Sequence, residues 1–241
     1  MNKDKIYQYK HNSLQDFRFD TNVVPVFDNM ILRSVPGYEN TLDLIRLLVT
    51  QYAKDNTALY DLGCSLGRIT QIFLEKQPQH YGPLFAIDLS QDMIEQCQKN
   101  LKPISQKRNI NYICKDITQI TLKKSSIIVL NYTLQFISPD ARNDLLTDIC
   151  DALIPGGILI ISEKINGSSP KNQQFLTDMH ISFKQTQGYS DLEISQKRNA
   201  LEKVLIPDTL NELNKRIKQA GFTHSEIFSQ SLNFISLVGF R

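Results

Sequence analysis

Residues 59–70, LYDLGCSLGRIT, admit two incompatible readings. Gly63-Cys64-Ser65-Leu66-Gly67 fits the G-x-S-x-G pattern, in which a serine on a tight strand-to-helix turn is a hydrolase nucleophile. The same residues also read as a strand ending in an acid, a glycine-rich turn and the start of a helix. That shape holds a nucleotide and gives Ser65 no chemistry.

The surrounding sequence favours the second reading. A nucleophile elbow needs an acid and then a histidine later in the chain. Only His180 and His224 could serve, one in an expected helical insert and the other just before an edge strand. The nucleotide reading accounts for more positions. Gly63 and Gly67 allow a tight turn and close approach of a ligand, and the following helix N-terminus offers N–H groups to a carboxylate. A G-x-G-x-x-G fingerprint is absent, which argues against dinucleotides. Asp88, 21 residues past Gly67, ends the second strand and is placed to accept from two ribose hydroxyls. Asp116 ends the third strand, where a carboxylate can accept from an exocyclic adenine amine while the Ile117 N–H meets a ring nitrogen. Asn131 ends the fourth and faces the transferred group. Ligands of open α/β sheets bind at these carboxyl ends.

Those strands belong to a longer alternation. Short apolar runs at 58–61, 84–88, 111–115, 127–131 and 158–162 read as strands covered on both faces. Helices between them carry stripes at Ile69, Ile72 and Phe73, at Met93, Ile94, Cys97 and Leu101, and at Leu145, Ile149 and Leu153. Ser90 is an expected N-cap, as is Ser138 ahead of Pro139, and the latter helix is expected to stop before Pro155-Gly156-Gly157. Another helix is expected over 41–53. From 164 to 207 the alternation breaks into two helices, the second opened by the Ser190/Glu193 capping box. A helix over 209–220 is followed by strands at 226–229 and 234–240 with no helix between, hence an antiparallel hairpin.

The fold class is therefore α/β: a doubly wound, mostly parallel, seven-stranded sheet with a C-terminal antiparallel hairpin and a helical insert before the last helix. This is the arrangement of class I S-adenosylmethionine-dependent methyltransferases, a Rossmann-like fold. One domain is expected over 1–241, with residues 1–37 an arm or lid, the first twenty or so lacking periodicity, and 164–207 an insert suited to a dimer contact.

Composition narrows the classes. The 241 residues are 41% hydrophobic and 22% charged, with a formal net charge of +2 and no low-complexity tract or repeat. Stable direct binding to nucleic acid is not expected. The doublets Lys107-Arg108, Lys123-Lys124 and Lys197-Arg198 read as solvated surface. The N-terminus has no secretory pattern, and no run approaches the ~20 apolar residues of a membrane span. Cys64, Cys97, Cys114 and Cys150 are too scattered for a zinc site or a compact disulfide framework. Buried reduced thiols, a cytoplasmic location and no metal are the expectation.

Beyond the common fold, SVPGYENT (34–41), YDLGCSLG (60–67), VLNYTLQF (129–136), PGGILIISEK (155–164), GYSDLEISQKR (188–198) and LNFISLVGF (232–240) closely resemble carboxy-S-adenosyl-L-methionine synthases. The resemblance runs from about residue 17 to the C-terminus. It implies that S-adenosylmethionine and prephenate are converted to carboxy-S-adenosylmethionine, phenylpyruvate and water. The product would pass to a tRNA carboxymethyltransferase acting on the wobble uridine. It implies that Tyr38, Gly63, Cys64, Ser65, Asp88, Leu89, Asp116, Ile117 and Asn131 hold the nucleoside and amino-acid parts. Arg198 would bind the new carboxylate from the second subunit of a homodimer, so that Arg198 and Tyr38 lie nearest the chemistry. Arg33 could contact the second substrate, although a salt bridge to an acidic neighbour is the plainer reading. His180 and Glu163 are weaker candidates. Leu89 stands where the family has Asn, and Gln185 where it has Arg. An ordinary S-adenosylmethionine-dependent methyltransferase of unknown acceptor, and a nucleotide-binding protein without turnover, are the alternatives.

Overall fold

The computed structural model describes residues 2–10, 15–76, 82–105 and 108–241. Lys107 lies outside them. Two helices, α1 (Phe27–Ser34) and α2 (Tyr38–Tyr52), precede the alternation. It runs β1 (Ala58–Leu62), α3 (Arg68–Lys76), β2 (Leu84–Asp88), α4 (Gln91–Leu101), β3 (Ile110–Cys114), β4 (Ser125–Asn131), α5 (Arg142–Ala152) and β5 (Leu153–Lys164). Then come α6 (Pro170–Thr186), α7 (Asp191–Leu201), α8 (Leu210–Gln219), β6 (His224–Ser231) and β7 (Phe234–Phe240).

The seven strands form one sheet in the order β3-β2-β1-β4-β5-β7-β6. The first five pair in parallel, and β7 enters antiparallel between β5 and β6. The expected fold class is thus found. The order reverses between β1 and β4, and this switch point is where open α/β sheets bind ligands.

Apolar side chains on the two faces of the strands feed two cores. Leu59, Ile127, Val129 and Ile160 meet Leu42, Ile45 and Val49 of α2 and Ile72 and Phe73 of α3 on one face. Leu62, Ile128, Leu130 and Ile161 meet Leu145, Ile149 and Ile217 on the other. Fully burying one such aliphatic chain contributes about 1.5–3 kcal/mol, so these layers hold the strand ends in fixed positions. A third, smaller cluster joins Tyr7, Phe17 and Val23 to Met30, Leu66, Met93 and Ala200. Residues from both described stretches of the aperiodic N-terminus thus pack against α4 and α7.

Several boundaries differ from the sequence expectation. Helix α2 begins at Tyr38 rather than 41, because Gly37 takes a φ of +75° and turns the chain straight into the first turn. Ser138 does not cap α5: its carbonyl accepts from Ala141 N–H in a separate turn, and the helix starts at Arg142 with no side-chain cap. The helix expected to stop before Pro155-Gly156-Gly157 ends at Ala152, and that segment belongs to β5, which already begins at Leu153. Strand β4 starts early, at Ser125, whose hydroxyl donates to the Ala58 carbonyl and so is satisfied inside the sheet. The caps at Ser90 and the Ser190/Glu193 capping box form as expected.

Candidate functional site

A cavity of about 650 Å³ opens at the carboxyl ends of β1, β2, β4 and β5. That volume lies within the ordinary range for small-molecule sites. Tyr38, Gly63, Cys64, Ser65, Asp88, Leu89, Asp116, Ile117, Asn131 and Arg198 all border it. The sequence candidates therefore converge on one space, and Arg198 reaches it from α7 of the same chain. The resemblance assigns that guanidinium to a second subunit. Within one chain the insert already brings Arg198 to the border of this cavity.

The glycine turn is built for packing as much as for a ligand. A Cβ at Gly63, where φ is +79°, would collide with the Thr133 side chain. One at Gly67, where φ is +88°, would come within 2.7 Å of Cys97 Sγ. The turn's N–H groups are engaged: Gly63 and Cys64 donate to the Ile87 carbonyl, Gly67 to Cys64, and Ser65 to Asp88 Oδ2 at 2.8 Å. Ser65 takes a left-handed φ of +47° to do so. Four donors of the turn are thus occupied, whereas the donors expected for a carboxylate belong to the start of the following helix, where Arg68 and Ile69 border the cavity.

Ser65 has no nucleophile's surroundings. Its hydroxyl meets Met93 Sδ at 3.4 Å. His180 Nε2 lies 2.8 Å from the Ser34 carbonyl, which can only accept, so Nε2 carries the proton. Burial and the facing Lys184 hold this imidazole neutral, its pKa pushed down to about 3, too low for a useful base. His224 stacks on Phe240 at the far sheet edge.

Asp88 ties the turn to α4. One oxygen accepts from Ser65 N–H and the other from Ser90 N–H at 2.9 Å, which leaves lone pairs on both for a ribose. Burial raises its pKa against these two bonds. Asp61, 1% exposed, accepts from the Thr70 N–H and hydroxyl, and burial still lifts it to about 7. Asp116 caps the short 3₁₀ turn Ile117–Gln119 through one oxygen. Leu89 lies 72% exposed beside these carboxylates, an apolar surface at the cavity rim. Asn131 Oδ1 is buried without a partner, an acceptor suited to an ammonium donor.

The opposite wall joins the candidates Tyr38, His180 and Arg198 to residues the sequence reading missed. Tyr38, Tyr132, Phe234 and His180 form a continuous run of rings, with successive centroids 5.9, 6.2 and 5.0 Å apart. Lys164, Lys184 and Lys197 border the cavity with Arg198. Burial pulls Lys184 down to about 7, reinforced by the facing Lys197, Lys164 and Arg198. Lys197 is only 6% exposed, not solvated surface: it donates to Ser34 Oγ and lies 3.7 Å from Asp4, and burial brings it to about 8. Lys164 was legible in one respect, since it ends β5 at the same sheet edge as Asp88 and Asn131.

Other candidates fall outside the cavity. Arg33 is buried and donates to the Gln187 and Asp4 carbonyls while its guanidinium lies 3.7 Å over the Tyr189 ring. It ties the N-terminal segment to the α6–α7 turn through carbonyls and a ring face, not through a carboxylate. Glu163 accepts from the Leu134 and Gln135 N–H groups and fixes the short turn after Tyr132. Burial raises it to about 8. Gln185 is exposed and donates to Asp191, away from the cavity. No group of His, Cys, Asp and Glu suited to a metal occurs among the described residues, and no helix there is long and apolar enough to cross a membrane.

A family model for a methyltransferase domain matches residues 59–157. The carboxy-S-adenosyl-L-methionine synthase of Shewanella halifaxensis is 44% identical over 238 residues, which is 99% of this chain and 98% of that protein. That of Psychromonas ingrahamii is 41% identical, with the same coverage. Among solved structures, the magnesium protoporphyrin IX methyltransferase of Synechocystis, solved with bound SAM, superposes with a TM-score of 0.59 at 12% identity, covering 88% of this chain and 84% of its own. PigF with SAH gives a TM-score of 0.59 at 16% identity over 92% of this chain, which spans only 60% of PigF. At these identities the structures show the fold alone.

Proposed function

The chain belongs to the carboxy-S-adenosyl-L-methionine synthase family, and we propose that its cavity carboxylates the methyl group of S-adenosylmethionine with prephenate as carboxyl source. The observation that carries this reading is the split wall: nucleoside-type acceptors at the strand ends face a cationic group on the insert. In the proposed pose, Asp88 accepts from the ribose hydroxyls, Leu89 and Ile117 flank the adenine, and Asp116 accepts from its amine. Asn131 Oδ1 and the carbonyl edge at Gly63–Ser65 take the ammonium. Tyr38, buried and held protonated by that burial, closes the aromatic wall beside the sulfonium. Arg198 pairs with the carboxylate of the product in bidentate fashion.

The step balances without a protein nucleophile. In prephenate the bond from ring to carboxylate breaks, its electron pair aromatises the ring, and the ring hydroxyl leaves as hydroxide. This gives CO₂ and phenylpyruvate. Hydroxide takes a proton from the S-methyl group to make water, and the resulting ylide forms a carbon–carbon bond to CO₂. The chain's contribution is to hold both reactants together and exclude water. Phe17 and Phe19 border the cavity, Phe19 packs edge-on against Phe17, Phe27 and Phe136, and its carbonyl accepts from Ser90 Oγ. We place the N-terminal segment as the lid on these grounds. A homodimer through α6 and α7, a cytoplasmic location and delivery of the product to a tRNA carboxymethyltransferase complete the proposal.

The test is incubation of purified protein with S-adenosylmethionine and prephenate labelled with carbon-13 at the ring carboxylate. A labelled nucleoside heavier than S-adenosylmethionine by one CO₂ is the expected product. S-adenosylhomocysteine instead would indicate ordinary methyl transfer, and no new species would indicate a binding protein.

A further inference from the structure

The cations on the insert wall are more numerous than one product carboxylate needs. Lys164 ends β5 and pairs in register with Phe234 of β7. The Ile165 N–H bonds the Asn233 carbonyl at 2.8 Å, and Asn233 borders the same cavity as Lys164. His180 packs its ring against Phe234 at 5.0 Å, and Lys184 follows one helical turn later on the same face of α6. Lys164, Asn233, Phe234, His180 and Lys184 therefore form one contiguous patch of cavity wall.

Three features of the patch call for a ligand. Among the described residues no ion pair reaches Lys164 or Lys184, and exposed Glu202, also on the wall, pairs with neither; of the three lysines Asp4 pairs with Lys197. Both lysines are pulled below their ordinary range, chiefly by burial. Asn233, 1% exposed, has its Oδ1 buried with no partner. Mutually repelling cations in a partly closed space are disfavoured until an anion joins them. The adjoining rings of Tyr132 and Phe234, packed edge-on, add an apolar surface.

We propose that Lys164 and Lys184, with Asn233 and the Phe234–His180 face, form a second-substrate subsite that takes a cyclic dicarboxylate bearing a hydroxyl. The lysines would each meet a carboxylate, Phe234 the ring, and Asn233 Oδ1 the hydroxyl hydrogen. Arg198 remains for the transferred carboxyl group. This rests on the reading above, in which prephenate has that chemistry, and adds the residues that recognise it.

The experiment measures steady-state kinetics with prephenate and equilibrium binding of S-adenosylmethionine for wild type, Lys164→Met, Lys184→Met and Lys184→Arg. Each Met variant should raise the prephenate KM by about ten- to a hundredfold, with S-adenosylmethionine affinity changed less than about twofold. Lys184→Arg should restore most of the loss. Removing an unpaired buried cation should also raise the Tm of ligand-free Lys184→Met, whereas a merely structural lysine would lower it. An unchanged prephenate KM, equal weakening of both ligands, or a fall in Tm each overturns the subsite. If wild type makes the labelled carboxylated nucleoside while the variants match it, the subsite fails and the functional reading stands. If wild type makes none, both fall.

Discussion

Replacing Arg198 with alanine should separate two ligands that share every atom except one carboxylate. Two unit charges 4 Å apart attract by about 1 kcal/mol in water and about 4 kcal/mol at the effective dielectric of a protein surface. Arg198 is exposed on the last turn of α7 while facing into the cavity, which puts the pair between those limits. A loss of about 2 kcal/mol follows, or roughly thirtyfold, since each decade is about 1.4 kcal/mol. Lys164 faces the same guanidinium and would retain part of the attraction, so a loss beyond a thousandfold is not expected. Calorimetric titration of Arg198→Ala with carboxy-S-adenosylmethionine and S-adenosylmethionine is the assay. The first should weaken about thirtyfold and the second hardly at all, or even tighten slightly, because a positive charge has left the neighbourhood of a sulfonium. Arg198→Lys should fall between, keeping the charge and losing the two-pronged geometry. Equal weakening of both ligands would show that Arg198 acts on the fold of the insert rather than on the carboxylate.

Asp88→Asn should weaken both nucleosides alike and lower the Tm, because an amide cannot accept from Ser65 and Ser90 at once and a charge-assisted bond contributes about 1.5–3 kcal/mol; unchanged affinity in titration would displace the ribose from Asp88. Asp208→Asn should cost about 3–5 kcal/mol in urea unfolding, since Arg142, 1% exposed, would lose its carboxylate 3.0 Å away; a loss below about 1 kcal/mol would mean the pair is solvated. Lys184 has a folded pKa of about 7, below its value of about 10.4 in the unfolded chain, so the folded state binds fewer protons between them. Ligand-free stability should accordingly gain from Lys184 as pH rises from about 7 to about 10, while prephenate binding weakens. Glu163, raised to about 8, acts in the opposite sense, losing stability as pH climbs towards that value, so the Tm difference between wild type and Lys184→Met isolates the lysine. A difference that does not change with pH would refute the burial of Lys184 beside Lys197, Lys164 and Arg198.

The strand ends were legible because each is a break in an apolar run. Asp88 and Asn131 interrupt strands whose other residues are buried on both faces, and no local rule but a ligand or a cap explains a polar group there. The hairpin was legible because 226–240 holds no helical period. Lys197 was not, because its burial is decided by Asp4 and Ser34, far away in sequence, and a lysine–arginine doublet on a helix gives no local hint of them. Lys184 had the same difficulty. Phe17 and Phe19 escaped notice for a different reason: they pack from extended backbone over helices, so their burial follows neither a helical nor a strand period. Ser138-Pro139 misled because the pair serves equally well in a free-standing turn.

The two halves of the cavity explain how one fold can change reaction. The carboxylates of Asp61, Asp88 and Asp116 lie at the strand ends, and the less exposed cations lie on β5, α6 and α7. In the proposed pose a sulfonium nucleoside therefore runs, from ribose to methyl group, from a carboxylate-bearing wall towards a cationic one. Alone, its methyl end meets repulsion from Lys164, Lys184 and Arg198, and nothing in that arrangement suits a neutral methyl acceptor. A dianion entering beside it neutralises the lysines and screens the sulfonium in one event. The two substrates thereby become electrostatically dependent on each other, with attraction strengthened as water leaves the closing site. When the dianion breaks up into CO₂, hydroxide and a monoanion, one negative charge departs from the lysines and reappears as a carboxylate on the nucleoside, within reach of Arg198. The wall's total charge is thus matched before and after the reaction, and only the position of the negative group moves. A cation wall of this size would oppose simple methyl transfer to a neutral acceptor, in which the positive charge moves from sulfur onto the acceptor beside those cations until a proton is lost.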